Sequence, residues 1–231
     1  MGPALVWATL TTYMAESLYD GLIWYCCLVI VIALHEFGHA WSASACGDQT
    51  ARSLGRVTIN PIAHMDMLGT VILPLAMIVL SAMNSGLGGF IIGWGKPVPV
   101  VHSNLKNPRL DSLLVALAGP FMNLVLAAVT VLMWKLLYSF GSAMIAEGVQ
   151  MLVGVSLFLM FLNLLPIPPL DGSYILKYIT NMRDETYHAI AQYGFLILIV
   201  AIQMPLIRIF LRNSTDGTMD FLMSIFQIPM R

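Results

Sequence analysis

The sequence predicts an all-α polytopic membrane protein, with about five transmembrane helices and short membrane-associated β-strands or a re-entrant hairpin between them. Hydrophobic residues make up 58% of the chain and charged residues only 10%, whereas a soluble domain is about a quarter charged. Mean hydropathy is +0.82. Several apolar runs also meet or approach the roughly 20 residues that a helix needs to cross hydrocarbon. A formal net charge of −1 argues against a nucleic-acid binder, which would carry a basic patch or stripe. The three cysteines, Cys26, Cys27 and Cys46, form no C-x-x-C pair and are expected to be apolar packing residues.

The first span is expected from Leu22 to about Ala45 and the second, shorter, from Leu68 to Met83. A long one follows at Leu110–Phe140, another at Ile145–Leu165, and a fifth at Ala189–Leu211, interrupted by Pro205. The stretches Pro3–Tyr19 and Met219–Ile228 are expected to be interfacial or partly inserted. Met1 to Asp20 has no basic region of the signal-peptide kind, so insertion is expected to rely on the first spanning helix. With no polar linker and no repeat, residues 1–231 are expected to form a single domain.

Two connecting stretches are apolar without helical spacing. Ala51–Pro61 alternates, with Leu54, Val57 and Ile59 among polar residues, and predicts a short strand pair. Gly86–Val101 is rich in Gly, and Pro97 and Pro99 forbid a helix there. Irregular backbone at membrane depth must be buried in protein or line a wet cavity, so this stretch predicts a re-entrant hairpin. Lys/Arg groups at Arg52/Arg56, Lys106/Arg109 and Lys177/Arg183 are expected on one side, the cytoplasmic one. Arg208 and Arg212 fit that scheme poorly.

Chemistry concentrates in His35-Glu36-Phe37-Gly38-His39. Residues i and i+4 share a helix face, so both imidazoles can reach one ion while Glu36 stands beside the first as a general base. Each ionisable group in mid-span costs about 2.5 kcal/mol or more. Three within five residues require a common explanation, which a cation provides. The alternative is a hydrogen-bonded His-Glu-His cluster without metal. Catalytic zinc takes three protein ligands and keeps one open position. Asp171, in Asn163-Leu-Leu-Pro-Ile-Pro-Pro-Leu-Asp171-Gly172, is the candidate third ligand; alternatively it caps the helix that carries Tyr174 and Leu176.

These motifs, His35 to His39 followed by Asn163-x-x-Pro-x-Pro-Pro-Leu-Asp171-Gly172, resemble the site-2 protease family of intramembrane metalloproteases. Further matches are Ala118-Gly-Pro-Phe-Met-Asn123, Gly93-Trp-Gly95-Lys-Pro-Val-Pro-Val100 and Asn60-Pro61 through His64-Met-Asp66 to Leu68-Gly-Thr70. The resemblance covers roughly residues 30 to 180 and implies a compact form without PDZ or nucleotide-sensing domains. It implies one Zn(2+) held by His35, His39 and Asp171, with Glu36 as general base. It also implies regulated intramembrane proteolysis of single-pass membrane proteins, pre-trimmed by another protease, in a bacterial-type cell membrane. The active site would lie toward the cytoplasmic side, and a homo-oligomer is one assembly open to it.

Around this site, Asn123, Asn163 and His64 are candidates to bind the oxyanion, although each Asn would serve equally as interhelical glue. Gly93 and Gly95 lie in a segment that could pair with an unwound substrate by strand addition. His102 and His188 fall among loop residues and are expected to do nothing special. Two other classes of function compete: a membrane metal-ion transporter using the same two His and one Asp, and an inactive scaffold that binds membrane helices. A transporter seldom needs a Glu beside the first ligand in this fixed pattern, whereas a hydrolytic enzyme does.

Overall fold

The computed structural model describes residues 3–83, 93–137 and 143–226. Its frame is three long apolar helices: α1 (Pro3–Ala45), α4 (Pro108–Leu137) and α5 (Ala143–Asn163). α1 packs on α4, and α4 on α5. Between α1 and α4 come a four-residue helix, α2 (Thr50–Ser53), and α3 (Leu73–Ala82); after α5 come α6 (Gly172–Thr180), α7 (Asp184–Ala191), α8 (Gly194–Gln203) and α9 (Pro205–Ile225).

The helix ends follow local chemistry. At the start of α4, Asp111 Oδ2 accepts from Asn107 N at 2.7 Å and Asn107 Oδ1 from Leu110 N at 3.4 Å. With Pro108 at the first helical position, this is a reciprocal cap. α6 stops at Asn181, whose φ of 52° turns the chain out of the helix. The 43 residues of α1 are about 65 Å long at the ordinary rise per residue, so the helix tilts or runs beyond the hydrocarbon. The segment expected to lie at the interface, Pro3–Tyr19, is continuous with the span.

Packing is that of a membrane bundle. A core of Ala127, Val131, Trp134, Val153, Leu157 and Met160 joins α4 to α5, and Leu222 and Met223 add α9 to it. Large apolar side chains meanwhile face outward: Phe121 is 62% exposed and Leu136 63%. Lipid takes the place of the polar surface they would otherwise need. The three charged loops meet at one end of the bundle. Lys106 N bonds to Cys46 O at 3.0 Å, and the Arg109 guanidinium reaches Tyr178 O at 3.2 Å while lying over the Tyr178 ring.

Two expectations are corrected. Among the described residues, three helices are long and apolar enough to cross a membrane, or four if α7 and α8, bent by 60°, form one span. The second expected span is too short at Met67–Ala82, and opens with a wide π-helical turn, Met67–Ile72, before Pro74. The fifth is broken: Met204 is extended, Pro205 starts α9, and that helix is polar along one side, with an Arg212–Asp216 ion pair at 3.6 Å.

No β-strand is found among the described residues either. The alternation at Ala51–Pro61 has no sheet to pack on; Leu54 and Ile59 are exposed. The chain instead enters α2, because Asp48 Oδ1 accepts from Thr50 N at 3.0 Å, and leaves through Gly55 at φ 67°. Of the expected hairpin, residues 86–92 lie outside the described residues. Residues 93–101 run without regular helix and make one isolated antiparallel bridge, Gly95 to Met65. Trp94 N bonds to Gly69 O at 3.1 Å and Lys96 N to His64 O at 2.8 Å. Pro97 and Pro99, lacking N–H groups, stop the ladder there.

Candidate metal centre

α1 carries the motif on one face. His35 and His39 are both buried, with ring centroids 4.6 Å apart and planes at 85°. Their Nε2 atoms are 3.0 Å apart. Asp171 Oδ2 lies 3.1 Å from His35 Nε2 and 3.3 Å from His39 Nε2. Asp171 does precede helix α6, yet its side chain makes no capping hydrogen bond; the carboxylate turns to the imidazoles instead. The turn that delivers it, Asn163 to Leu170, follows from Pro166 and Pro168, which end α5.

The three donor atoms fit zinc. Tetrahedral ligands about 2.05 Å from zinc stand about 3.3 Å from one another, and the observed triangle of 3.0, 3.1 and 3.3 Å has that size. Asp171 Oδ2 is buried and receives no hydrogen bond, which leaves a carboxylate oxygen in need of a positive partner. Two nitrogens and one oxygen, with a fourth position left over, form a catalytic rather than a closed structural donor set. Among the described residues this is the group of three able to hold an ion.

α4 forms the wall behind the imidazoles. His39 Nδ1 donates to Val115 O at 2.7 Å, so in the neutral ring Nε2 keeps its lone pair for the metal. One and two turns further along the same face stand Gly119 and Asn123. A side-chain carbon at Gly119 would collide with both imidazoles, reaching His35 Cε1 at 2.7 Å. From the other side, a carbon at Gly38 would come within 2.6 Å of Ala118 O and 2.7 Å of Met122 Cγ. The two glycines set the helix separation at which the ligands are backed by α4. Pro120 does not break α4, which continues through it to Leu137.

Glu36 stands apart from the ligand triangle, under the extended segment. Val98 N donates to Glu36 Oε2 at 3.2 Å. Gly95 is packed there: a side-chain carbon on it would lie 2.6 Å from Ile32 Cγ2 and 3.3 Å from Glu36 Oε1. Gly93 packs near Gly69 O, at 3.1 Å by the same construction. Two residues that sequence reasoning passed over hold this segment in place. Arg56 is buried and its Nη2 donates to Lys96 O and Pro97 O, both at 3.0 Å. Asp48, fully buried, accepts from Val101 N at 2.7 Å and from Asn104 Nδ2 at 3.1 Å.

The remaining sequence candidates are placed as follows. Asn123 is fully buried with Nδ2 3.2 Å from His35 Nδ1, and Ser156 on α5 donates to its backbone carbonyl at 2.7 Å. Asn163 Nδ2 folds back to Leu159 O at 3.0 Å on its own helix. His64 is fully buried, donating from Nε2 to Thr58 O at 2.8 Å, with Nδ1 unpartnered. His102 Nδ1 meets Ser112 Oγ at 2.7 Å in an exposed network outside the site.

Comparison with known proteins agrees with the geometry. The family model described as peptidase family M50 matches residues 24–147 and 138–202. YwhC of Bacillus subtilis (strain 168), assigned as a zinc metalloprotease, is 33% identical over 86% of this chain and 88% of its own. Rip2 of Mycolicibacterium smegmatis, with the same assignment, is 33% identical over 88% of this chain and 76% of its own. Rip2 of Mycobacterium tuberculosis (strain H37Rv) is 33% identical over 77% of this chain and 65% of its own. No solved structure is a significant match. The apolar bundle, the zinc-sized triangle of His35, His39 and Asp171, and these relatives together make the chain a member of peptidase family M50, a membrane-embedded zinc metalloprotease.

Proposed function

We propose that this enzyme hydrolyses peptide bonds in or near the transmembrane helices of single-pass membrane proteins, with Glu36 as its general base. The observation that carries this is Glu36 itself, held by Val98 N beside the ligand cluster without joining it. A helix that binds zinc only to hold or to move it has no use for such a carboxylate. Bound zinc would lower the pKa of a water and polarise the scissile carbonyl. Glu36 would act as the base toward the attacking water and hand the proton on to the departing amine.

A substrate helix has its amides in its own hydrogen bonds, so it must unwind before cleavage. The segment from Gly93 to Val101, running beside Glu36, is the natural place for an unwound stretch to lie. Trp94 and Lys96 already use their amides inward, so pairing would fall on the other edge, around Gly95. Asn163 and His64 remain candidates for oxyanion contacts. The whole of 1–231 acts as one domain in this reading. In this reading the site lies toward the cytoplasm; the positive-inside tendency of the Arg52, Lys106 and Lys177 loops and the position of the motif in the last third of α1 support that side. Substrates reach it after trimming by another protease, which removes bulk from the far side.

The test compares wild type with Glu36→Gln on a panel of intact single-pass proteins in lipid. Loss of cleavage by at least about a hundredfold is expected, with zinc content unchanged. Cleavage that survives in Glu36→Gln overturns the role given to Glu36. Zinc flux that survives while neither protein cleaves would favour the transporter.

A further inference from the structure

Asn123 bears on the metal through His35 rather than through the substrate. Its side chain is fully buried, 3.2 Å from His35 Nδ1, and its Oδ1 has no hydrogen-bond partner. With Nδ2 turned to the ring, the amide would donate to Nδ1, and a neutral imidazole would then carry its proton on Nε2. That is the atom facing His39 Nε2 at 3.0 Å and Asp171 Oδ2 at 3.1 Å. A proton there blocks the lone pair that the ion requires, while a buried carbonyl oxygen remains unsatisfied. Amide orientation is fixed by such bonding logic. Half a turn of the amide frees the His35 Nε2 lone pair and gives Oδ1 a donor, moving Nδ2 to the position that Oδ1 now occupies. His39 shows the matching arrangement, donating Nδ1–H to Val115 O.

We propose that Asn123 Oδ1 accepts the His35 Nδ1 proton and thereby holds His35 in the tautomer whose Nε2 lone pair points at the metal position. Asn123 is then a positioning residue, and α4 supplies one acceptor to each histidine ligand: a backbone carbonyl to His39 and an amide oxygen to His35. Ser156, bonded to the Asn123 carbonyl from α5, steadies this acceptor from behind. The inference rests on zinc being the ion held by His35, His39 and Asp171.

The test uses the full chain in lipid nanodiscs, with zinc affinity measured by chelator competition. Asn123→Leu keeps the volume and removes the acceptor, and should weaken zinc about 10- to 100-fold. Asn123→Asp keeps only acceptors and should hold zinc within a few-fold of wild type. Unchanged affinity in Asn123→Leu overturns the proposal. So does an equal loss in both variants, because it would mean that the amide NH2 is the group required. Nitrogen NMR of the metal-free wild type, histidine-labelled, gives a second reading. Protonation of His35 at Nδ1 is expected, and protonation at Nε2 overturns the proposal. This arm needs no metal and survives if Asn123→Leu fails to fold. A wild type that binds no zinc, yet shows the Nδ1–H tautomer, refutes the zinc reading while leaving the Asn123 contact standing.

Discussion

Asp48 ties three pieces of chain with one carboxylate. It accepts from Thr50, Val101 and Asn104. Burial alone would raise its pKa, but these donors outweigh burial and hold it below the usual carboxylate value. A group depressed in the folded state stabilises the fold above its unfolded pKa of about 3.9, and that stability is lost as pH falls through the folded value. Asp48→Asn should therefore cost about 2–4 kcal/mol near neutrality. The gap between the thermal midpoints of wild type and variant in detergent should narrow below about pH 4. At this scale the ligands were legible: His35 and His39 share one helix face in an apolar setting, and Asp171 sits in a proline-rich turn. Arg56 was not. Its charge marks a side of the membrane in any reading of loops, yet the residue is buried against the Lys96 and Pro97 carbonyls. Sequence gives the sign of a charge, and tertiary contacts decide whether water sees it. For Asn123 the sequence offered an amide at membrane depth, and only the opposing helix showed that it faces a ligand.

α1 and α4 form the site by approaching closely at Gly38 and Gly119. Gly119→Ala would put a methyl group against both imidazoles. We expect zinc affinity to fall at least about tenfold, since supporting contacts of metal ligands are worth that much. Gly38→Ala meets backbone at Ala118 O and should cost about 1–3 kcal/mol as the helices part. Metal content per chain and thermal midpoints check the two effects. Long apolar elements were readable because lipid demands their length, whatever their neighbours. The alternating stretch Ala51–Pro61 misled because period-two spacing predicts a strand only where a sheet waits to pair with it. Here the local turn bond from Thr50 N to Asp48 won, and Leu54 faces outward.

For the whole molecule, the metal is a clasp between distant parts of the chain. Asp171 lies just beyond α5, and the histidines lie on α1, so an ion bound by all three opposes their separation. Ligand at about 100 times its Kd stabilises by about 2.7 kcal/mol. Removing zinc by a chelator should accordingly lower the thermal midpoint, and re-addition should restore it. Hydrogen exchange should rise first in the turn from Asn163 to Asp171. An unchanged midpoint after verified metal loss would contradict the clasp. The order of the ligands along the chain also bears on how the protein is made. α1 is synthesised with its two histidines and Glu36 roughly 130 residues before Asp171, on the order of ten seconds at ordinary translation rates. The α4 wall is complete only roughly 100 residues after the motif, and the third ligand comes later still. The helix must enter lipid with three ionisable groups unsupported, at about 2.5 kcal/mol or more apiece. Only its long apolar remainder offsets this. Loading of the metal is then a late step in biogenesis, possible once the turn behind α5 has emerged.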